Sequence, residues 1–147
     1  MRILIVEDEV LLQMQLISLM RRIYGANGPI DVTCSGERAI ELMSRVAYQL
    51  VTSDGNLSGL LTGADVLTWV TKNQPWLADR FCLISGDVAM IEKSGHHRYI
   101  LKGELTRASF LSVMSVPKPQ PVARDNEWDE IPTVTYRRPV NLVARAR

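Results

Sequence analysis

Ile3-Leu4-Ile5-Val6-Glu7-Asp8-Glu9 joins four branched apolar residues directly to three acids. Consecutive apolar residues without polar alternation suit a strand buried on both faces, the condition of strands in a parallel sheet. The pattern recurs along the chain. Leu50-Val51-Thr52-Ser53 runs into Asp54, Phe81-Cys82-Leu83-Ile84 into Ser85, and Tyr99-Ile100-Leu101 into Lys102. In an open parallel sheet the carboxyl ends of the strands line one crevice, so these polar residues converge despite their separation in sequence. Three carboxylates, a hydroxyl and an ammonium at one place make a site suited to Mg²⁺ and a phosphoryl group.

Between these runs lie segments of helical period. From Glu9 to Tyr24, apolar Val10, Met14, Ile17 and Leu19-Met20 alternate with Gln13, Gln15 and Arg21-Arg22, which predicts an amphipathic helix. Gly25, Asn27, Gly28 and Pro29 break it. A second strand follows at Ile30 to Cys34, then a helix from about Gly36 to Val46 capped by Ser35. A glycine-containing loop from Asp54 to Gly63 leads to a helix over Ala64 to Asn73, closed by Pro75. After the fourth strand come a short helix at Gly86 to Lys93, a strand at Arg98 to Leu101 and a last helix at Glu104 to Met114. Right-handed crossovers in five βα units place helices on both faces, so the fold class is α/β, a five-stranded parallel sheet, doubly wound. No internal repeat is visible.

Composition agrees with one ordinary domain plus an appendage: 147 residues, 46% hydrophobic, net charge +1. Such a balance gives no field to draw nucleic acid, and no apolar run approaches the roughly 20 residues of a membrane span. The first apolar run ends in acid after Val6, which is not the pattern of a secretory signal, so a cytoplasmic location is expected. Cys34 and Cys82 both fall in predicted strands and are expected to be buried free thiols.

Val6-Glu7-Asp8-Glu9, Asp54 with Asn56, Ser85 and Lys102, in this order and at these strand ends, resemble the receiver domain of two-component response regulators, the fold of the chemotaxis protein CheY. The resemblance covers residues 1–115 and implies a flavodoxin-like receiver fold. It implies that Asp54 accepts a phosphoryl group from a histidine kinase or phosphotransfer protein. It also implies that Asp8, Asp54 and the backbone carbonyl of Asn56 hold Mg²⁺, with Glu7 close by. Ser85 takes the place of the hydroxyl that reorients toward phosphate, Lys102 that of the family's cation, and Tyr99 that of its aromatic switch. No enzyme activity is implied beyond self-phosphorylation at Asp54.

Physical chemistry supports the same roles: a carboxylate attacking an anionic phosphorus needs a divalent ion and an ammonium to neutralise growing charge. Hard Mg²⁺ prefers oxygen, consistent with carboxylates and a carbonyl and no His or Cys. Plainer readings exist for each residue alone. Asp54-Gly55 is a turn signal, Glu7-Asp8 suits a helix start, Lys102 an exposed strand end, Ser85 a helix cap and Tyr99 a half-buried aromatic.

Departures from the family pattern fall in two places. Ser58 stands where the family usually has proline, and Gly103 follows Lys102 where the family has a proline that supports a cis peptide. A cis bond without proline costs roughly 2.5 to 4 kcal/mol, so trans is expected at 102–103. Only 16 residues separate Ser85 from Lys102, so the helix between them must be short. That helix belongs to the family's output face, which weakens the case for switching by phosphate alone. His96-His97 in this segment reads as a solvated loop rather than a metal pair.

Residues 116–147 do not fit a receiver. Pro117, Pro119 and Pro121 imply a stiff extended spacer. Asp125, Glu127, Asp129 and Glu130 then surround Trp128, whereas the acid-free stretch from Ile131 onward carries Arg137, Arg138, Arg145 and Arg147 and no lysine. Guanidinium planes stack on bases and bind phosphate or guanine edges bidentately, and Trp128 and Tyr136 add faces for stacking. Tyr136-Arg137-Arg138-Pro139 and Arg145-Ala146-Arg147 resemble the arginine-rich tail of the CheY-like cyclic di-GMP effectors, the Cle class. This second resemblance implies a cyclic di-GMP ligand and the flagellar motor switch as protein partner, in control of motility and surface attachment. By composition alone the tail also suits a solvated extension, which leaves a plain phosphorelay receiver as the alternative. A DNA-binding regulator is disfavoured, since the chain lacks a recognition helix.

Overall fold

The computed structural model describes residues 1–115, and the expectations placed on Trp128, Tyr136 and the tail arginines lie outside the described residues. Five strands, β1 (Ile3–Val6), β2 (Ile30–Thr33), β3 (Leu50–Asp54), β4 (Phe81–Ser85) and β5 (Tyr99–Leu101), form one parallel sheet in the order β2-β1-β3-β4-β5. Alternation within the apolar runs divides the core in two. Leu4, Val6, Val51, Phe81 and Leu83 face helices α2 (Gly36–Arg45), α3 (Gly63–Asn73), α4 (Pro75–Ala78) and α5 (Val88–Ser94). Ile3, Ile5, Leu50, Cys82, Ile84 and Ile100 face α1 (Val10–Tyr24) and α6 (Arg107–Ser115), where Leu12, Leu16, Met20 and Phe110 complete the packing. With both faces covered, β1, β3 and β4 are buried throughout, as the apolar runs of β1 and β4 predict, and β3 buries the polar Thr52, Ser53 and Asp54 as well.

Caps explain where the observed helices depart from the expected ones. Ser35 does cap α2, accepting from Arg38 N at 3.2 Å. Asp87, however, accepts from Met90 N at 3.1 Å, so α5 begins at Val88 rather than Gly86 and spans 7 residues. The helix expected from Glu104 is divided: Lys102–Glu104 is a 3₁₀ turn, and α6 starts after Thr106, whose hydroxyl accepts from Ser109 N at 3.1 Å. Pro75 does not simply close α3. It opens the single turn α4, a position where its missing N–H costs nothing.

Three further expectations change. Cys34 lies one residue past β2 and is exposed, whereas Cys82 is buried in β4, where desolvation pushes its thiol up to about 12. Arg98 precedes β5, buried, and donates to Val113 O at 2.7 Å, tying the strand's entry to α6. His96 is not solvated loop: its ring packs edge-on to Phe81 and its Nε2 lies 2.7 Å from the Phe81 carbonyl. The 102–103 peptide is trans, as expected. Among the described residues no helix is long and apolar enough to cross a membrane.

Candidate phosphoryl and cation site

β1 and β3 are neighbours whose following helices, α1 and α3, pack on opposite faces, so the crevice for a ligand opens at their carboxyl ends. Register sets the residues there. Val6 pairs with Ser53, which brings Glu7 and Asp54 side by side one step further on. Asp8 reaches the same point from the β1–α1 loop, and one oxygen each of Glu7, Asp8 and Asp54 lie within 4.8 Å of one another.

Lys102 answers this charge. Its Nζ lies 2.8 Å from Asp54 Oδ2, 3.7 Å from Glu7 Oε1 and 3.9 Å from Glu9 Oε2. Partial burial works against the ammonium, but the hydrogen bond to Asp54 and the charges of Asp54, Glu7 and Glu9 outweigh it, so its pKa sits above the ordinary lysine value. Glu7 is fully buried. Desolvation raises its carboxyl to about 7, with Asp54's charge adding to the rise and a hydrogen bond from Glu9 N at 3.0 Å opposing it. Its other oxygen, Oε2, is buried without a hydrogen-bond partner.

These donors fit Mg²⁺. Oxygens from three acids converge, Glu7 keeps a buried oxygen without a hydrogen-bond partner, and among the described residues no His or Cys joins the cluster. The loop after β3 completes the wall. Asp54 Oδ1 accepts from Asn56 N at 3.1 Å, which holds the Asn56 backbone beside the carboxylate. Asp8 Oδ2 accepts from Ser58 N at 2.9 Å, a bond that a proline at 58 could not make.

Two glycines permit this closeness, and the sequence reading did not single them out. A Cβ on Gly63 would stand 2.0 Å from the Asp54 carbonyl oxygen, because the first turn of α3 packs directly on the end of β3. A Cβ on Gly55 would stand 1.7 Å from Met90 Cε and 2.8 Å from Ser85 Oγ. The apolar-to-acid pattern carries no trace of such contacts; only the glycines' place beside the site hints at them. Glu9, named in the sequence only as part of the acidic run, also faces Lys102.

The structure thus gathers Glu7, Asp8, Asp54, Asn56 and Lys102, with Ser85 adjoining across Gly55. Ser85 Oγ accepts from Asp87 N at 3.0 Å, so here it faces the start of α5. Tyr99 is not at the pocket: it pairs in register with Leu83, two residues before Ser85, and is 43% exposed.

The architecture can now be compared with solved structures. The signal receiver domain of an HD domain-containing protein from Pseudomonas fluorescens Pf-5 superposes with a TM-score of 0.63 at 19% identity, over 77% of this chain and 90% of that one. The chain has the receiver fold. The response regulatory domain of protein mrkE from Klebsiella pneumoniae gives 0.63 at 18% identity, over 78% and 92%. The response regulator TrrA from Thermotoga maritima, solved with Mg²⁺ and BeF, gives 0.59 at 24% identity, over 69% and 85%. No protein-family model matches the sequence, and no curated protein matches it either.

Proposed function

We propose that this chain is a signalling receiver in which Asp54 accepts a phosphoryl group, and that its tail makes it an effector of cyclic di-GMP. The observation that carries the first part is the Lys102 ammonium held 2.8 Å from Asp54 within a cluster of three acids. Glu7, Asp8, Asp54 and the Asn56 backbone would hold Mg²⁺, which when bound neutralises phosphoryl oxygens and lowers the barrier to anionic attack. A carboxylate oxygen of Asp54 forms the bond to phosphorus, while the bond to the donor's leaving group breaks and that group keeps the electron pair. Lys102 then pairs with the transferred oxygens, and Ser85 turns from Asp87 N to donate to one of them. The Mg²⁺-BeF complex of the Thermotoga maritima regulator supports this reading by fold, as does the unsatisfied Glu7 Oε2.

Incubation with acetyl phosphate and Mg²⁺ tests it by intact mass. Wild type gains one phosphoryl group and Asp54→Asn gains none; an unmodified wild type would reduce the receiver to a scaffold.

The second part rests on the exclusive use of Arg137, Arg138, Arg145 and Arg147 beside Trp128 and Tyr136, and on the 7-residue α5. Two phosphates and two guanines match planar guanidinium forks and aromatic faces. A truncated α5 leaves the face of α5, β5 and α6, with Tyr99 exposed on it, to bind a protein partner largely independently of Asp54. The flagellar motor switch is the partner proposed. Calorimetry of the full chain with cyclic di-GMP decides: Arg137→Lys or Arg138→Lys keeps charge but removes the fork, and binding should weaken. Equal binding by both Lys variants would mean plain electrostatics, and no binding by wild type would leave the phosphorelay reading.

A further inference from the structure

Helix α1 buries Leu12, Leu16 and Met20 yet leaves Leu11 72% and Met14 63% exposed. Beside Met14 a groove of about 440 Å³ runs between α1 and the start of α6, with Leu19 and Leu105 in its wall and Arg22 and Arg107 at its rim. It continues along α1 into a second depression edged by Arg21 and Arg22. Among the described residues no acid lines either one. Gln15, Ser18 and Thr106 share the lining with Met14, Leu19 and Leu105, and such a partly apolar groove edged by guanidinium groups is complementary to an amphipathic aromatic flanked by carboxylates.

The chain carries such a segment. In Asp125-Asn126-Glu127-Trp128-Asp129-Glu130, four acids in six residues enclose one tryptophan. We infer that this segment docks on its own receiver, with Trp128 in the α1–α6 groove and its flanking acids against Arg21, Arg22 and Arg107. The inference rests on the fold and the groove, independently of the nucleotide reading.

Chain length allows it. α6 has 9 residues, so it carries the chain about 14 Å from the groove, at ~1.5 Å per residue. Residues 116–124 follow, three of them proline, and at ~3.1 Å per residue they reach about 28 Å, enough to run back along α6. Trp128 supplies the large apolar surface that the exposed Met14 and half-buried Leu19 and Leu105 lack, and charge alone would not select a tryptophan. A docked tail would cover one side of the receiver; a ligand that stacks on Trp128 would compete with docking and uncover it.

The test is NMR on full-length protein with ¹³C-methyl methionine, in which Met14 reports the groove and Met20 and Met114 serve as controls. The expected result is a ring-current shift of the Met14 methyl, with a nuclear Overhauser contact to the Trp128 indole, independent of protein concentration. Trp128→Leu abolishes both. Arg22→Glu with Arg107→Glu loosens the contact, and adding Glu127→Arg with Glu130→Arg restores it. In 1 M salt, where the screening length is about 3 Å, at least half the shift is lost. A Met14 resonance unchanged by Trp128→Leu overturns the proposal. A shift that grows with concentration does so as well, and assigns the groove to a second copy of the chain.

Discussion

At the scale of single residues, the most consequential atom for the cation site is the Ser58 amide. By donating to Asp8 Oδ2 it draws on the charge of a carboxylate that would hold an incoming Mg²⁺. Ser58→Pro removes the donor, whereas Ser58→Ala keeps it. A hydrogen bond of about 0.5–1.5 kcal/mol corresponds to a ~2–10-fold change, so Ser58→Pro should bind Mg²⁺ more tightly by that order and Ser58→Ala should match wild type. A Mg²⁺ titration followed by fluorescence or NMR checks both. Asp31, at the other end of the sheet, has a structural task. It accepts from Arg2 Nε at 2.8 Å and from the buried Tyr48 hydroxyl at 2.7 Å, and these bonds hold its carboxyl below the usual range, Arg2's foremost. A depressed folded pKa contributes stability that is complete above the unfolded value of about 3.9 and is lost as pH falls through the folded one. Asp31→Ala leaves Tyr48 without its acceptor and should cost about 1–3 kcal/mol at neutral pH. In urea denaturation the gap between wild type and variant should narrow toward pH 2; a gap that widens on acidification would contradict the assignment.

At the scale of elements, the site depends on how α3 meets β3. Gly63 stands at the first turn of α3 inside the capping box of Thr62 and Asp65, and its amide donates to Gly55 O at 2.9 Å. Adding a methyl there drives it into the Asp54 backbone, and overpacking of this kind costs about 1–3 kcal/mol. Gly63→Ala should therefore lower stability by that order and slow phosphoryl acceptance, because the collision displaces Asp54 itself. Ala64→Ser, one residue on and half-buried, serves as the comparison and should alter neither by much. Chemical denaturation and the rate of acetyl phosphate labelling read the two effects.

Much of this was legible in the sequence, for a definite reason. Strands buried on both faces are mostly apolar and carry no charge within, so the charged or polar residue that closes each run marks a strand end, and strand ends of a parallel sheet meet. That argument reaches Glu7, Asp8, Asp54, Ser85 and Lys102 and the two-sided core. It stops at features decided by local competition. Asp87 outbids Gly86 as the start of α5, Thr106 with Ser109 takes the start of α6 from Glu104, and Pro75 can open a turn as readily as close one. It stops also where packing decides: Cys34 continues the apolar pattern of β2 but emerges past the strand's end at the sheet edge, and Gly63 matters only through a contact across the crevice.

For the whole molecule, the described residues form one receiver fold with a cluster of acids and a lysine at its crevice. The proposed phosphoryl acceptance would draw on every residue gathered at the crevice together. Beryllofluoride with Mg²⁺ mimics the phosphorylated carboxylate without turnover, and a ¹⁵N-labelled full chain reports it residue by residue. Wild type should show a saturable response that requires Mg²⁺, centred on Asp54, Asn56, Ser85 and Lys102, and Asp54→Asn should show none. A wild-type chain whose spectrum ignores beryllofluoride in the presence of Mg²⁺ would contradict the account.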